Sequence, residues 1–137
     1  MQRIIALDIG TVRIGVAVSD PLGFFAQGIA VLRAEGEWLE ELAEITAGYE
    51  NPKLLVGLPR RTDGSEGPEA MKMRDTAETI RDRFPDLEIE FWDERFTTAI
   101  AQQALIEADV SRRGRKQKVD KIAAALLLQS YLDRGRT

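Results

Sequence analysis

The sequence predicts an α/β protein: a mixed β-sheet covered by helices. Two observations lead there. Residues 4–20, IIALDIGTVRIGVAVSD, are two apolar, β-branched runs on either side of a short segment at Gly10, the pattern of two tightly joined strands. Beyond residue 37, helical and strand patterns alternate. A short antiparallel meander followed by βα alternation gives a mixed sheet whose faces are closed by helices.

The elements follow in order. Residues 3–8 and about 12–19 read as strands, with a turn near Gly10-Thr11. Pro21-Leu22-Gly23 is a second turn signal, and residues 24–32 form a third, mostly apolar strand. Residues 37–49 carry Trp38, Leu39, Leu42, Ala43 and Ile45 at helical spacing, up to a stop at Asn51-Pro52. Residues 53–58, KLLVGL, are a short buried strand of the kind found in the centre of a covered sheet. A polar loop, 59–68, leads into a helix over about 69–84. Residues 87–92 alternate as a half-exposed strand. A helix from Thr97 or Thr98 to about Ala108 comes next, capped by either threonine. A basic loop and a final helix over about 119–134 complete the order β-β-β-α-β-α-β-α-α, with five strands. No repeat or linker interrupts it, so residues 1–137 are expected to form one domain.

Composition removes several classes of chemistry. No cysteine is present, which excludes disulfides, thiolate nucleophiles and cysteine zinc sites. No histidine is present either, so Ser-His-Asp and Cys-His catalysis are excluded. What is left is carboxylates, Lys, Arg, Tyr, hydroxyls or a bound metal, and oxygen ligands suit Mg²⁺ or Mn²⁺. The N-terminus enters a strand pattern without a secretory leader, and no apolar run approaches the roughly 20 residues a bilayer requires. A cytoplasmic, non-membrane protein is expected. Its net charge is −4, so the molecule as a whole is not basic. Yet SRRGRKQK, 111–118, holds Arg112, Arg113, Arg115, Lys116 and Lys118 and no acid. Such a run is either a solvated loop or a phosphate-contacting patch.

Asp8 ends a very apolar strand, and Asp93-Glu94 ends another. Ligand sites in such sheets gather at strand carboxyl ends. Asp120 falls in the first turn of the expected last helix, at the edge of its apolar stripe, and Ala123-Ala124-Ala125 allow that helix to approach the sheet closely. Each acid alone has a plain reading: a turn cap, an exposed strand end, a helix-dipole partner. Gly10 and Gly15 alone are either turn and packing residues or points of close approach to phosphate. Together the carboxylates would repel unless cations or protons neutralised them. Two Mg²⁺ or Mn²⁺ ions can support phosphodiester hydrolysis without histidine. Only one of Asp93 and Glu94 can face such a site, because neighbours on a strand alternate.

In sequence order, LDIGTVRIGVAVSD, VGLPRRTDGSEG, DERFTT and VDKIAAALLLQSYLD resemble the YqgF/RuvX family. These RNase H-like proteins are related to the Holliday-junction resolvase RuvC and associated with pre-16S rRNA processing. The resemblance covers about residues 4–133. It implies an RNase H-like five-stranded mixed sheet and a metal-dependent nuclease with Asp8, Glu94 and Asp120 as catalytic metal ligands, Asp93 in reserve. It also places Gly10, Arg13, Arg60, Asp63, Gly64, Ser65, Arg95 and Thr97 near the site to meet backbone phosphates, together with the basic run. Arg60-Arg61 depart from the apolar-Asn pair common at that point in the family. The implied substrate is RNA in 16S rRNA 5′-end maturation, within ribosomal precursor particles, by a monomer or homodimer. Three other readings stand beside it. A DNA junction resolvase would need paired sites in a dimer. A non-catalytic RNA- or ribosome-binding module would bind without cutting. A sugar-kinase or actin-type ATPase would need a second domain to close over ATP.

Overall fold

The computed structural model describes residues 2–94 and 112–135, with side chains in the last helix described from Asp120 to Arg134. Its strands are β1 (Ile4–Ile9), β2 (Arg13–Ser19), β3 (Ala26–Arg33), β4 (Lys53–Leu58) and β5 (Glu88–Asp93). The helices are α1 (Trp38–Ala47), α2 (Pro68–Arg83) and α3 (Arg112–Gly135). They build a five-stranded sheet in the order β3-β2-β1-β4-β5. The meander is antiparallel, while β1 pairs β4 and β4 pairs β5 in parallel. The expected α/β class and mixed sheet are therefore observed. The helix expected near 97–108 lies outside the described residues.

Strand alternation sorts the core into two layers. On one face Ile5, Leu7, Ile14, Val16, Leu54 and Val56 pack with Leu42 of α1 and Ile80 of α2. On the other, Ala6, Ala17 and Leu55 meet Ala124, Leu127 and Leu128 of α3. Each fully buried branched side chain contributes about 1.5–3 kcal/mol of transfer free energy. Small residues mark the α3 side because the helix lies close to the sheet there. A methyl group at Gly15 would collide with the backbone carbonyl of Asp120, and one at Gly28 would come within 2.9 Å of the Lys121 backbone and Cβ.

Three boundaries differ from the sequence expectation. β3 starts at Ala26 rather than residue 24, because the Phe24 and Phe25 amides both donate to Asp20 Oδ1 in the preceding turn, at 2.7 and 3.0 Å. α1 ends at Ala47, capped by the Gly48 amide, with Asn51 in the left-handed region (φ 43°) before Pro52. The largest correction concerns the basic run: its backbone from Arg112 onward is helical and continuous with the last helix, so it is not a loop. Arg, Lys and Gln are good helix formers and no proline interrupts them, so the cost of Gly114, about 1 kcal/mol, does not break the helix. Among the described residues no helix is long and apolar enough to cross a membrane.

Candidate active site at the carboxyl end of the sheet

Asp8 follows Leu7 in the central strand β1, and its side chain shares the α3 face with Ala6. On β5, Trp92 packs on the α3 side and Phe91 on the other. Two residues beyond Trp92, Glu94 returns to the α3 side. It reaches back over β4, where the space that a methyl group at Gly57 would fill is occupied by Glu94 Oε1 and Cγ. There its carboxyl is hydrogen-bonded to that of Asp8. Asp93 has the opposite parity and lies 3.9 Å from Arg60 Nε. Sequence periodicity left open which of the two neighbours faces Asp8; the packing of Trp92 with Ala6 on the α3 side puts Glu94 there.

Two recessed carboxyls in hydrogen-bond contact hold one proton between them. Burial raises the Asp8 carboxyl above its ordinary value; the hydrogen bond from Glu94 opposes this and the charge of Asp120 adds to it. Burial likewise pushes Glu94 up, to about 8, reinforced by its hydrogen bond to Asp8 and by the charges of Asp8 and Asp93.

Asp120 stands across from this pair on α3, brought in by the close approach over Gly15. Its Oδ2 accepts from Arg13 Nε at 2.7 Å, and both side chains are mostly covered. Among the described residues no three acids are drawn in to metal-ligand spacing: Asp8 and Glu94 engage each other and Asp120 is engaged by Arg13. The chemistry of the donor set nonetheless fits Mg²⁺ or Mn²⁺. It offers only hard oxygens, and a cation could replace the proton that Asp8 and Glu94 share.

The other expected residues are distributed as follows. Gly10 closes the β1–β2 turn, its amide donating to the Arg13 carbonyl at 2.9 Å. Gly15 serves packing. Arg60 lies between Glu66, Asp93 and the Gly64 carbonyl. Ser65 donates its amide and hydroxyl to Asp63 Oδ1 at 2.9 and 2.6 Å, a local turn in which Gly64 takes φ 90°. Glu66 anchors this loop to α2 through Arg74 at 2.7 and 2.8 Å. Arg95 and Thr97 lie outside the described residues, as do the side chains of Arg112, Arg113, Arg115, Lys116 and Lys118. Sequence reasoning missed Gly57. Its glycine is required by Glu94, just past the end of the next strand, and a single glycine inside KLLVGL carries no local sign of that.

Residues 2–134 match the RuvX family, described as Holliday junction resolvase. A Clostridium botulinum protein named "Putative pre-16S rRNA nuclease" is 47% identical over 134 residues, covering 96% of this chain and 97% of its own. A Desulforamulus reducens protein of the same name is 44% identical, with 98% of both chains covered. Among solved structures, the fowlpox virus resolvase with its Holliday junction DNA superposes with a TM-score of 0.57 at 18% identity, covering 99% of this chain and all of that one. Thermus thermophilus RuvC with a Holliday junction substrate gives 0.52 at 15%, covering 98% and 96%. The fold is that of the RNase H-like resolvases, and the chain belongs to the RuvX family.

Proposed function

We propose that residues 1–137 act as one metal-dependent nuclease domain that hydrolyses phosphodiester bonds of RNA in 16S rRNA 5′-end maturation. The observation that carries this reading is the hydrogen-bonded Asp8–Glu94 carboxyl pair at the carboxyl end of the sheet, with Asp120 facing it. The substrate is taken from the two relatives named for pre-16S rRNA. A fold keeps like-charged groups together at a stability cost when their function needs them.

Asp8, Glu94 and Asp120 would hold Mg²⁺ or Mn²⁺, two ions in all, with Asp93 behind Glu94. When bound, such ions neutralise developing charge and make water a better nucleophile near neutral pH. The chain's own contributions are separate. Asp8, fixed in the central strand, sets the point around which the scissile phosphate is oriented. The Asp8–Glu94 pair would release the proton between its carboxyls when a cation takes its place. Arg13 holds Asp120 in register and lies within reach of a phosphate oxygen, which a guanidinium binds in two-pronged fashion. Arg60 and the basic first turns of α3 supply cationic contacts to the flanking strand.

The test is cleavage of labelled single-stranded RNA, single-stranded DNA and a four-way DNA junction, each with Mg²⁺, Mn²⁺ or EDTA, by wild type and Asp8→Asn. The expected result is metal-dependent cutting, with RNA preferred, that is lost in the variant. Preferred cutting of the junction would overturn the RNA assignment. Binding without cutting under every condition would overturn the enzyme itself.

A further inference from the structure

Beneath the β1–β2 turn, on the α1/α2 side of the sheet, a cleft of about 540 Å³ opens beside the carboxyl pair. Gly10, Thr11 and Glu94 line its near edge, so the cleft and the candidate active site share a border. Its walls are largely apolar, with Ile9 from β1, Pro59 at the end of β4, and Trp38 and Met73 from the two helices, while Glu69 and Thr76 of α2 add polar groups. The half-buried Trp38 stands at the first turn of α1. Exposed Lys72 contributes a cation to the lining.

We propose that this cleft takes one unpaired nucleobase of the strand being cut, next to the scissile phosphate. The inference rests on the nuclease reading and adds a subsite to it. The volume lies in the range of small-ligand sites, which are mostly apolar with a few polar groups at set points. A base needs a flat apolar or aromatic surface and a nearby cation for its phosphate. Trp38, the adaptable thioether of Met73 and Lys72 supply these. Continuity with the carboxyl pair through Glu94 decides for a base over an unrelated small molecule: a phosphate held through a cation at Asp8 and Glu94 would have its neighbouring nucleoside near the cleft mouth. A paired base cannot enter, so the cleft selects single-stranded or unstacked positions.

The experiment uses the Asp8→Asn, Trp92→Phe protein, in which Trp38 is the remaining indole and cutting is disabled. Single-stranded RNA of about ten nucleotides, within the footprint usual for such sites, is titrated in Mg²⁺ while Trp38 fluorescence and fluorescence anisotropy of a 3′ label are followed. An abasic residue is moved through the strand one position at a time. The expected result is quenching of Trp38 by intact RNA, with one position where the missing base abolishes quenching and weakens binding about tenfold. Trp38→Leu, with the same abasic series read by anisotropy, should erase that positional dependence. Equal binding at every abasic position, or quenching unaffected by any of them, would overturn the subsite. Failure of the nuclease reading appears separately, as intact RNA after incubation with the wild-type protein and Mg²⁺.

Discussion

Glu90 on β5 and Glu94 just past its end reach the same α3-covered face, four residues apart, yet they meet opposite fates. Glu90 Oε1 sits 2.5 Å from Lys53 Nζ and accepts from the Tyr131 hydroxyl at 3.1 Å, and Lys53 itself donates to that hydroxyl at 2.9 Å. Burial works against the charge on Lys53, but its hydrogen bonds to Glu90 and Tyr131 hold its pKa above the ordinary lysine value. Glu94 meets another acid. Among the described residues, the amino end of the sheet thus matches an acid with a cation, while at the carboxyl end two acids meet. On the nuclease reading, the end where the two acids meet is the one that works on a ligand.

The contrast breaks most sharply at Asp8. Asp8→Asn is nearly isosteric and gives Glu94 a neutral partner. It should lose transition-state stabilisation of several kcal/mol, a fall in cleavage on the order of a thousandfold. The unfolding midpoint at pH 8 should rise, because the repulsion is gone. Loss of cleavage with a lowered midpoint would point to misfolding instead. Gly57→Ala comes next: the added methyl displaces Glu94, and misplacement of about 1 Å costs roughly a hundredfold in rate. Circular dichroism should report an unchanged fold.

At the matched end the effect should fall on stability alone. Lys53→Met leaves Glu90 without its cation and should cost about 1–3 kcal/mol in urea unfolding, with kcat unchanged. The smallest effect is the pH dependence. A carboxyl whose folded pKa is raised binds more protons folded than unfolded, so its contribution is present below the unfolded value and lost as pH rises through the folded one. In EDTA, stability should therefore decline between the ordinary glutamate value of 4.5 and about 8. Mg²⁺ should restore more stability at pH 8 than at pH 5, and Asp8→Asn should flatten the profile. Thermal melts across that range check all three.

Much of the fold was legible because its signals are local. The bounds of β4 follow from KLLVGL between Pro52 and Pro59, and the meander from two turn signals. Asp8 and Asp120 stood out as acids beside apolar stripes. What escaped depended on partners distant in sequence. Gly15 is shaped by Asp120 and Gly57 by Glu94. The start of β3 is set by Asp20. The basic run was read by its charge, which says where it is solvated, while its helical backbone followed from propensities that charge obscures.

The placement of β1 in the middle of the strand order gives the site one immobile and two adjustable members. Asp8 belongs to a strand hydrogen-bonded on both sides, whose amides exchange with solvent only when the whole domain opens. Glu94 follows an edge strand and Asp120 lies on a helix packed directly over Gly15. If Asp8, Glu94 and Asp120 form the active site, two of its carboxylates would adjust to a moving phosphate while the third keeps the origin fixed.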